Sequence, residues 1–294
     1  MTLLTQLLRN KKALVGVTIL VIVILVAIFA PLLTEYSPTQ RVGRPHQPPS
    51  ADHLLGTTRL GHDVFTRLLY GARISLAVGF GAGLLITVIG TVLGIIAGYK
   101  GGVVDEVITF LTNMVLVIPN LPLLLVLAAF IGQASPLVIA VILGFTSWAW
   151  GVRVTRSETL SIRQRDFVKS AEMLGEPGWR IMAFEIFPNL ISIVGINFIG
   201  SVLFAVITEA TLEFLGLGDP NTVSWGIMLY NAQNASALSV GAWWDILTPC
   251  FALAVLGLGL ALINFAIDEI ANPRLRTGGM LNRWTRMVRL GEGK

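Results

Sequence analysis

Two carboxylates, Glu209 and Glu213, sit one helical turn apart inside an apolar run of the 294-residue chain. An ionised carboxylate at the centre of a membrane span costs roughly 2.5–3.5 kcal/mol on insertion scales, so such a group is expected to face a cavity. The pair is expected either to line a solute path, where it could meet a cationic group, or to lie near the outer interface, solvated or capped by a neighbour. Asn113, Asn120 and Asn197 also fall within or beside apolar runs. Each either lines such a path or bridges helices by hydrogen bonds. Trp225, Trp243 and Trp244 read as interfacial anchors, with a stacking platform as the alternative. The three histidines, His46, His53 and His62, share one polar segment, with Asp52 and Asp63 beside two of them. No HExxH, no serine elbow and no histidine inside an apolar run is present to support catalysis, so no catalytic residue is assigned.

The elements that position these groups follow from composition. The chain is 54% hydrophobic and 13% charged, with a mean hydropathy of +0.76. A soluble domain carries about 25% charged residues, so several membrane spans are expected. The single cysteine, Cys250, excludes a disulfide within the chain and a cysteine-rich metal site. No basic stripe with interleaved aromatics suggests nucleic acid. Six spans are expected, all α-helical: 13–33, 74–99, 103–131 (kinked by Pro119 and Pro122), 137–154, 190–217 and 243–270. The first reads as a retained span rather than a cleaved signal. The glycines of the second suit close helix packing. Segment 35–70 reads as an extended proline-rich linker followed by a surface helix. The polar segment 219–241 is expected to lie flat over the outer mouth.

Orientation follows from lysine and arginine. With the N-terminus inside, only Arg41, Arg44, Arg59, Arg67 and Arg73 of the 21 basic residues fall outside. Both termini are therefore expected in the cytoplasm. So is the charged stretch "DFVKSAEMLGEPGWRIMAFEIFPN" between the fourth and fifth spans. Asp166 is expected to cap a short helix whose Phe167, Ala171 and Leu174 share one face. Gly175 suits the left-handed position after that helix. Pro177 is expected to start a second helix, with Trp179, Met182, Ala183 and Ile186 as its apolar face and Pro188 as its stop. The first helix is too short to stand alone. It either anchors at the membrane interface or plugs into a groove on a cytoplasmic protein.

This loop resembles the signature of permease subunits of ABC importers: a Glu-Ala-Ala helix, then Gly, then Ile-Leu-Pro. Lys169-Ser170-Ala171, Gly175 and Ile186-Phe187-Pro188 stand at those positions. Lys169 reverses the usual charge, Ser170 replaces the first Ala and Phe187 replaces Leu. "HLLGTTRLGHDVFTRLLYGARISL", "GIIAGYKGGVVDEVI", "EFLGLGDPNTVSWGIML" and "DEIANPRLR" are similar to the dipeptide/oligopeptide/nickel group, in particular its C-type subunit. Two of the three histidines lie in a segment that resembles the whole group whatever its cargo, so no metal site is assigned. That group has Glu at the first of the paired positions and a small residue where Glu213 stands.

The resemblance implies an all-α integral membrane protein with the type I importer fold: one N-terminal span plus a five-span core. It implies a tail and span at 1–34, an outer segment at 35–70, and a core at 71–272 whose loop 155–189 couples to an ATPase. A basic cytoplasmic tail at 273–294 follows. Phe167, Lys169, Ala171, Leu174, Gly175 and Pro188 would form the coupling element. Glu209, Glu213, Asn113, Asn120 and Asn197 are candidates for the path. Implied partners are a second permease, two ATPases, an extracytoplasmic solute-binding protein and the lipid bilayer of a prokaryotic plasma membrane. The chain has no G-x-x-x-x-G-K-[ST] loop, so Mg-ATP would bind the partners and no cofactor is expected in this chain. The implied cargo is a peptide, with an oligosaccharide or nickel complex as alternatives. A self-sufficient secondary transporter is the rival class, and it would need an ion-coupling site and inverted repeats.

Overall fold

The computed structural model describes residues 10–271. The basic tail at 273–294 lies outside the described residues. Among the described residues the protein is all-helical, and β pairing is limited to three isolated bridges. Four helices are long and apolar enough to cross a membrane, or up to six if each of two bent pairs counts as one span.

Helix α1 (Lys11–Leu33) begins at Asn10, whose side chain accepts from the Lys12 amide. It packs along the last helix, α10 (Trp243–Ala271), at a crossing of small residues. A Cβ on Gly16 would stand 2.6 Å from the Gly259 carbonyl oxygen, and one on Gly259 2.8 Å from Ile19. Lys12 and Glu269 pair at 3.3 Å at one end of that contact.

Helix α2 (Val64–Lys100) is continuous for 37 residues. That is about 55 Å at 1.5 Å per residue, well beyond the roughly 30 Å of a hydrocarbon core. The surface helix and second span expected from the sequence are therefore one rod. Asp63 caps it, accepting from the Thr66 amide at 2.7 Å and the Thr66 hydroxyl at 2.8 Å. No proline or polar break separates the two parts, so nothing interrupts the helix.

The segment before α2 is not an extended linker. Thr57 is fully buried; its hydroxyl donates to the Arg44 carbonyl at 2.6 Å and accepts from the Gln47 amide at 2.9 Å. Trp244 Nε1 donates to the Thr57 carbonyl at 3.2 Å. These bonds fold the proline-rich stretch into a compact loop against α10, which composition alone does not reveal. Segment 219–241 likewise holds a packed helix, α9 (Trp225–Asn234), with Trp225, Ile227, Met228 and Ala232 buried.

Two helix pairs are sharply bent. The kink expected at Pro119 is an 83° bend between α3 (Gly102–Val117) and α4 (Asn120–Ile131). Ile118, before the proline, is extended, as the proline ring requires. A second bend, of 43°, separates α5 (Pro136–Thr146) from α6 (Ala149–Arg163). It contains no proline. The Thr146 hydroxyl instead donates to the Ile142 carbonyl at 2.7 Å, a back-bond that bends helices.

The charged stretch expected between the fourth and fifth spans holds α7 (Asp166–Met173). Arg165, not Asp166, occupies its N-cap, and Asp166 sits in the first turn with no capping bond. Pro177 likewise precedes the next helix by one residue. That helix, α8 (Gly178–Phe214), does not stop at Pro188. It widens into a π-helix over Ile181–Ile186 and continues as α-helix from Phe187. The Phe187 amide donates back five residues to Met182, so the wider turn absorbs the donor that Pro188 lacks. The same widening aligns Ile181 and Ile186, five apart, on one buried face with Leu190. Trp179 and Ala183, expected inside, are exposed.

Candidate functional site

The two helix breaks lie together. Asn120, the first residue of α4, donates from Nδ2 to Ser147 Oγ at the α5–α6 break, at 3.3 Å. Around them opens a cavity of about 570 Å³, walled by Ile118, Pro119, Thr146, Ser147 and Trp150 from the breaks. Ile196, Asn197, Gly200, Ser201 and Phe204 of α8 line the facing wall, and Asn264 of α10 completes it. Trp150 and Phe204 are exposed, so the cavity opens on the surface of this chain. Interrupted backbone at membrane depth is tolerated where it lines such a cavity.

Of the five candidate path residues, Asn120 and Asn197 lie on this wall. Asn113 does not: it accepts from Arg153 Nη2 at 3.1 Å, away from the cavity. Nearby, Arg156 bridges α6 to α3, donating to both oxygens of Asp105 at 2.5 and 2.6 Å. Glu209 and Glu213 do not line the cavity either, and neither lies at a solvated interface. Both are 0% exposed. Glu209 accepts from the Ser75 hydroxyl of α2 at 3.3 and 3.4 Å. Glu213 Oε2 accepts from the Ser224 hydroxyl, which itself accepts from the Ile227 amide at 3.1 Å. Gly218 and Gly226 close over the Glu213 side chain; a Cβ on either would stand 2.6–2.7 Å from it. The carboxylates therefore join α2, α8 and α9 within one chain. Sequence spacing shows their shared turn but not that the folded segment 218–226 covers it.

A second feature stands at the end carrying α7. Val168 is the buried anchor of that helix, packed with Ile162, Ile181, Ile186 and Leu190. Among the described residues nothing covers the opposite face. Phe167, Ser170, Ala171 and Leu174 face Arg180, Phe184 and Glu185 of α8 across a groove of about 590 Å³. Leu174 is 83% exposed and Met173, beside it, 86%. Gly175 has a φ of +78° and leaves open space around it. Its amide donates to Glu172 at 3.0 Å, and the Glu176 amide reaches Ala171 at 3.1 Å, the paired bonds of a Schellman exit. Lys169 and Pro188 are exposed and outside the groove lining.

Two of the three histidines are tied locally. His53 Nδ1 is 3.1 Å from Asp63. Arg67 donates to His62 Nδ1 at 2.9 Å, which requires a neutral ring there. Burial, and then the Arg67 charge, hold the His62 imidazole below its ordinary value. Among the described residues no group of three or more His, Cys, Asp or Glu side chains could hold a metal ion.

Residues 90–277 match the family model described as binding-protein-dependent transport system inner membrane component. Residues 3–49 match the N-terminal TM domain of oligopeptide transport permease C. The chain is 33% identical over 270 residues to the dipeptide transport system permease protein DppC of Bacillus subtilis, covering 91% of this chain and 83% of that protein. It is 34% identical over 278 residues to DppC of Alkalihalophilus pseudofirmus, covering 92% and 89%. It is 32% identical over 269 residues to the oligopeptide transport system permease protein OppC of Bacillus subtilis, covering 91% and 87%.

Proposed function

Because the chain belongs to the family of binding-protein-dependent transport system inner membrane components, we propose that it forms half of the path of an ATP-driven peptide importer. Relatives named for dipeptide and oligopeptide transport favour peptides over an oligosaccharide or a nickel complex. The reading rests on one observation. Helix α8 is a single 37-residue rod whose first turns wall the exposed groove and whose middle walls the cavity. A force applied at the groove therefore moves the cavity wall.

In this reading α7 seats in a cleft of a cytoplasmic ATPase, and a second permease faces the cavity. Two ATPases bind Mg-ATP and close together, α8 tilts, and the path opens to an extracytoplasmic binding protein. Release inward follows on reset. Both termini and α7 lie in the cytoplasm. Purification of the chain from its native membranes in mild detergent, with partners identified by mass, is expected to recover a second permease, two ATPases and a binding protein. Recovery of the chain alone, still able to drive transport in vesicles, would instead favour a secondary transporter.

The enclosed carboxylates carry a further expectation. Glu213→Gln keeps the shape and an oxygen acceptor for Ser224, so uptake is expected to change less than tenfold. Total loss of uptake, with the complex intact, would mean that the carboxyl group itself takes part in transport.

A further inference from the structure

The cavity at the two helix breaks has no ionisable side chain in its wall. Part of its polar lining is already engaged. Asn120 and Ser147 bond each other at 3.3 Å, and the Thr146 hydroxyl bonds the Ile142 carbonyl at 2.7 Å. Asn197 Nδ2 on α8 and Asn264 Oδ1 on α10 are both shielded and, among the described residues, without a hydrogen-bond partner. Gly200, one turn beyond Asn197, faces the Asn264 amide; a Cβ there would make ordinary contact, 4.0 Å from Asn264 Nδ2. Buried polar atoms without partners are rare and call for a reason.

Resting on the path reading above, we propose that Asn197 and Asn264 form an amide-reading subsite that holds a peptide group of the cargo in transit. One donor and one uncharged acceptor complement the C=O and N–H of a peptide bond. Turning either side-chain amide over exchanges its donor for its acceptor and leaves a complement of the same kind. A wall without fixed charge treats cationic, anionic and neutral side chains of the cargo alike, while a backbone amide recurs in every peptide. A metal ion would need ligand side chains that this wall lacks. The volume, about 570 Å³, falls within the range of small-molecule sites.

The test uses the whole complex in proteoliposomes, with binding protein outside and ATP at the ATPases. The probes are trialanine and its analogue N-methylated at both peptide nitrogens, which lacks the peptide-bond N–H donors. The binding protein is the same in every sample, so a change in the ratio of the two uptakes between variants reports on the permease. Asn264→Leu, which removes the acceptor, is expected to shrink the preference for trialanine roughly 2- to 10-fold, the worth of one net hydrogen bond. Asn197→Leu, which removes a donor to the C=O that both probes keep, is expected to lower both uptakes together. If a leucine variant is not recovered with its partners, Asn264→Ala or Asn197→Ala serves in its place.

Ser201→Trp, which fills the cavity, is expected to stop uptake of both probes. Wild-type uptake by Ser201→Trp would overturn the path reading itself. A block by Ser201→Trp, with the probe ratio unchanged in Asn264→Leu, would overturn the subsite alone. An intact complex that takes up trialanine and its analogue equally well would overturn it too.

Discussion

Gly175→Pro is expected to abolish ATP-driven uptake while the chain still inserts and pairs with its second permease. The native φ at this position is +78°, and proline is fixed near −65°. Proline also removes the amide that donates to Glu172 at 3.0 Å. The Schellman exit then cannot form, and α7 loses its fixed angle to α8. The groove needs that angle, because Phe167, Ala171 and Leu174 stand on one wall and Arg180 and Phe184 on the other. A Cβ at Gly175 meets nothing within 4 Å, so Gly175→Ala isolates the backbone cost. That cost is about 1–2 kcal/mol for a left-handed residue, enough to lower uptake without ending it. Gly175→Asn, which tolerates this region, should fall between alanine and wild type. The measurements are uptake, the ATPase recovered with the permease, and the amount of chain in the membrane fraction. Wild-type uptake by Gly175→Pro would remove the rigid elbow from the mechanism.

The same loop shows how far the sequence reads. Gly175 and the shared face of Phe167, Ala171 and Leu174 are legible because both are local: one needs a positive φ, the other a helical period. The second helix is legible in its start and in the buried Ile186, but not in the rest of its buried face, because a 3.6-residue period does not hold across a π turn. Ile181 and Ile186 are five apart and share a face only when the hydrogen bonds run i→i+5. The bend at Pro119 is announced by its proline. The bend at Ser147 is announced only by a Thr-Ser pair, whose back-bonds look the same in an unbroken helix.

The candidate path is legible in part. Asn120 and Asn197 stand out as polar residues in apolar surroundings, and both lie on the cavity wall. Ser147, Ser201 and Asn264 lie there too but were missed, since serine is common in packed spans and Asn264 sits deep in the last helix. Glu209 and Glu213 stood out for the same reason as Asn197. Their placement is decided by segment 218–226, which folds over them, and no local pattern carries that.

Gly94→Leu is expected to prevent accumulation of folded permease. Gly90, Gly94 and Gly98 form a stripe at four-residue spacing on α2, facing Gly151, Thr155 and Thr159 on α6. A Cβ at Gly94 would stand 2.6 Å from the Thr155 Cβ and 3.0 Å from the Val152 carbonyl oxygen. Neither neighbour is the end of a flexible chain, so the helices themselves must part. Overpacking of this kind costs typically about 1–3 kcal/mol and more where backbone is the obstacle. In lipid no hydrophobic force presses the helices together again, and close van der Waals contact is the main attraction. Parting α6 from α2 also displaces the Ser147 break and the Arg156–Asp105 bridge, so loss of packing reaches the cavity. Gly81 supplies the control: it lies on the same helix, and a Cβ there meets nothing within 4 Å. Gly81→Leu should accumulate and transport normally. Yield and thermal aggregation midpoint of the two variants decide the point. Adding Thr155→Gly to a Gly94→Ala chain removes the obstructing Cβ and should recover part of the lost midpoint. No recovery would place the obstacle in the backbone of α6 rather than in the threonine.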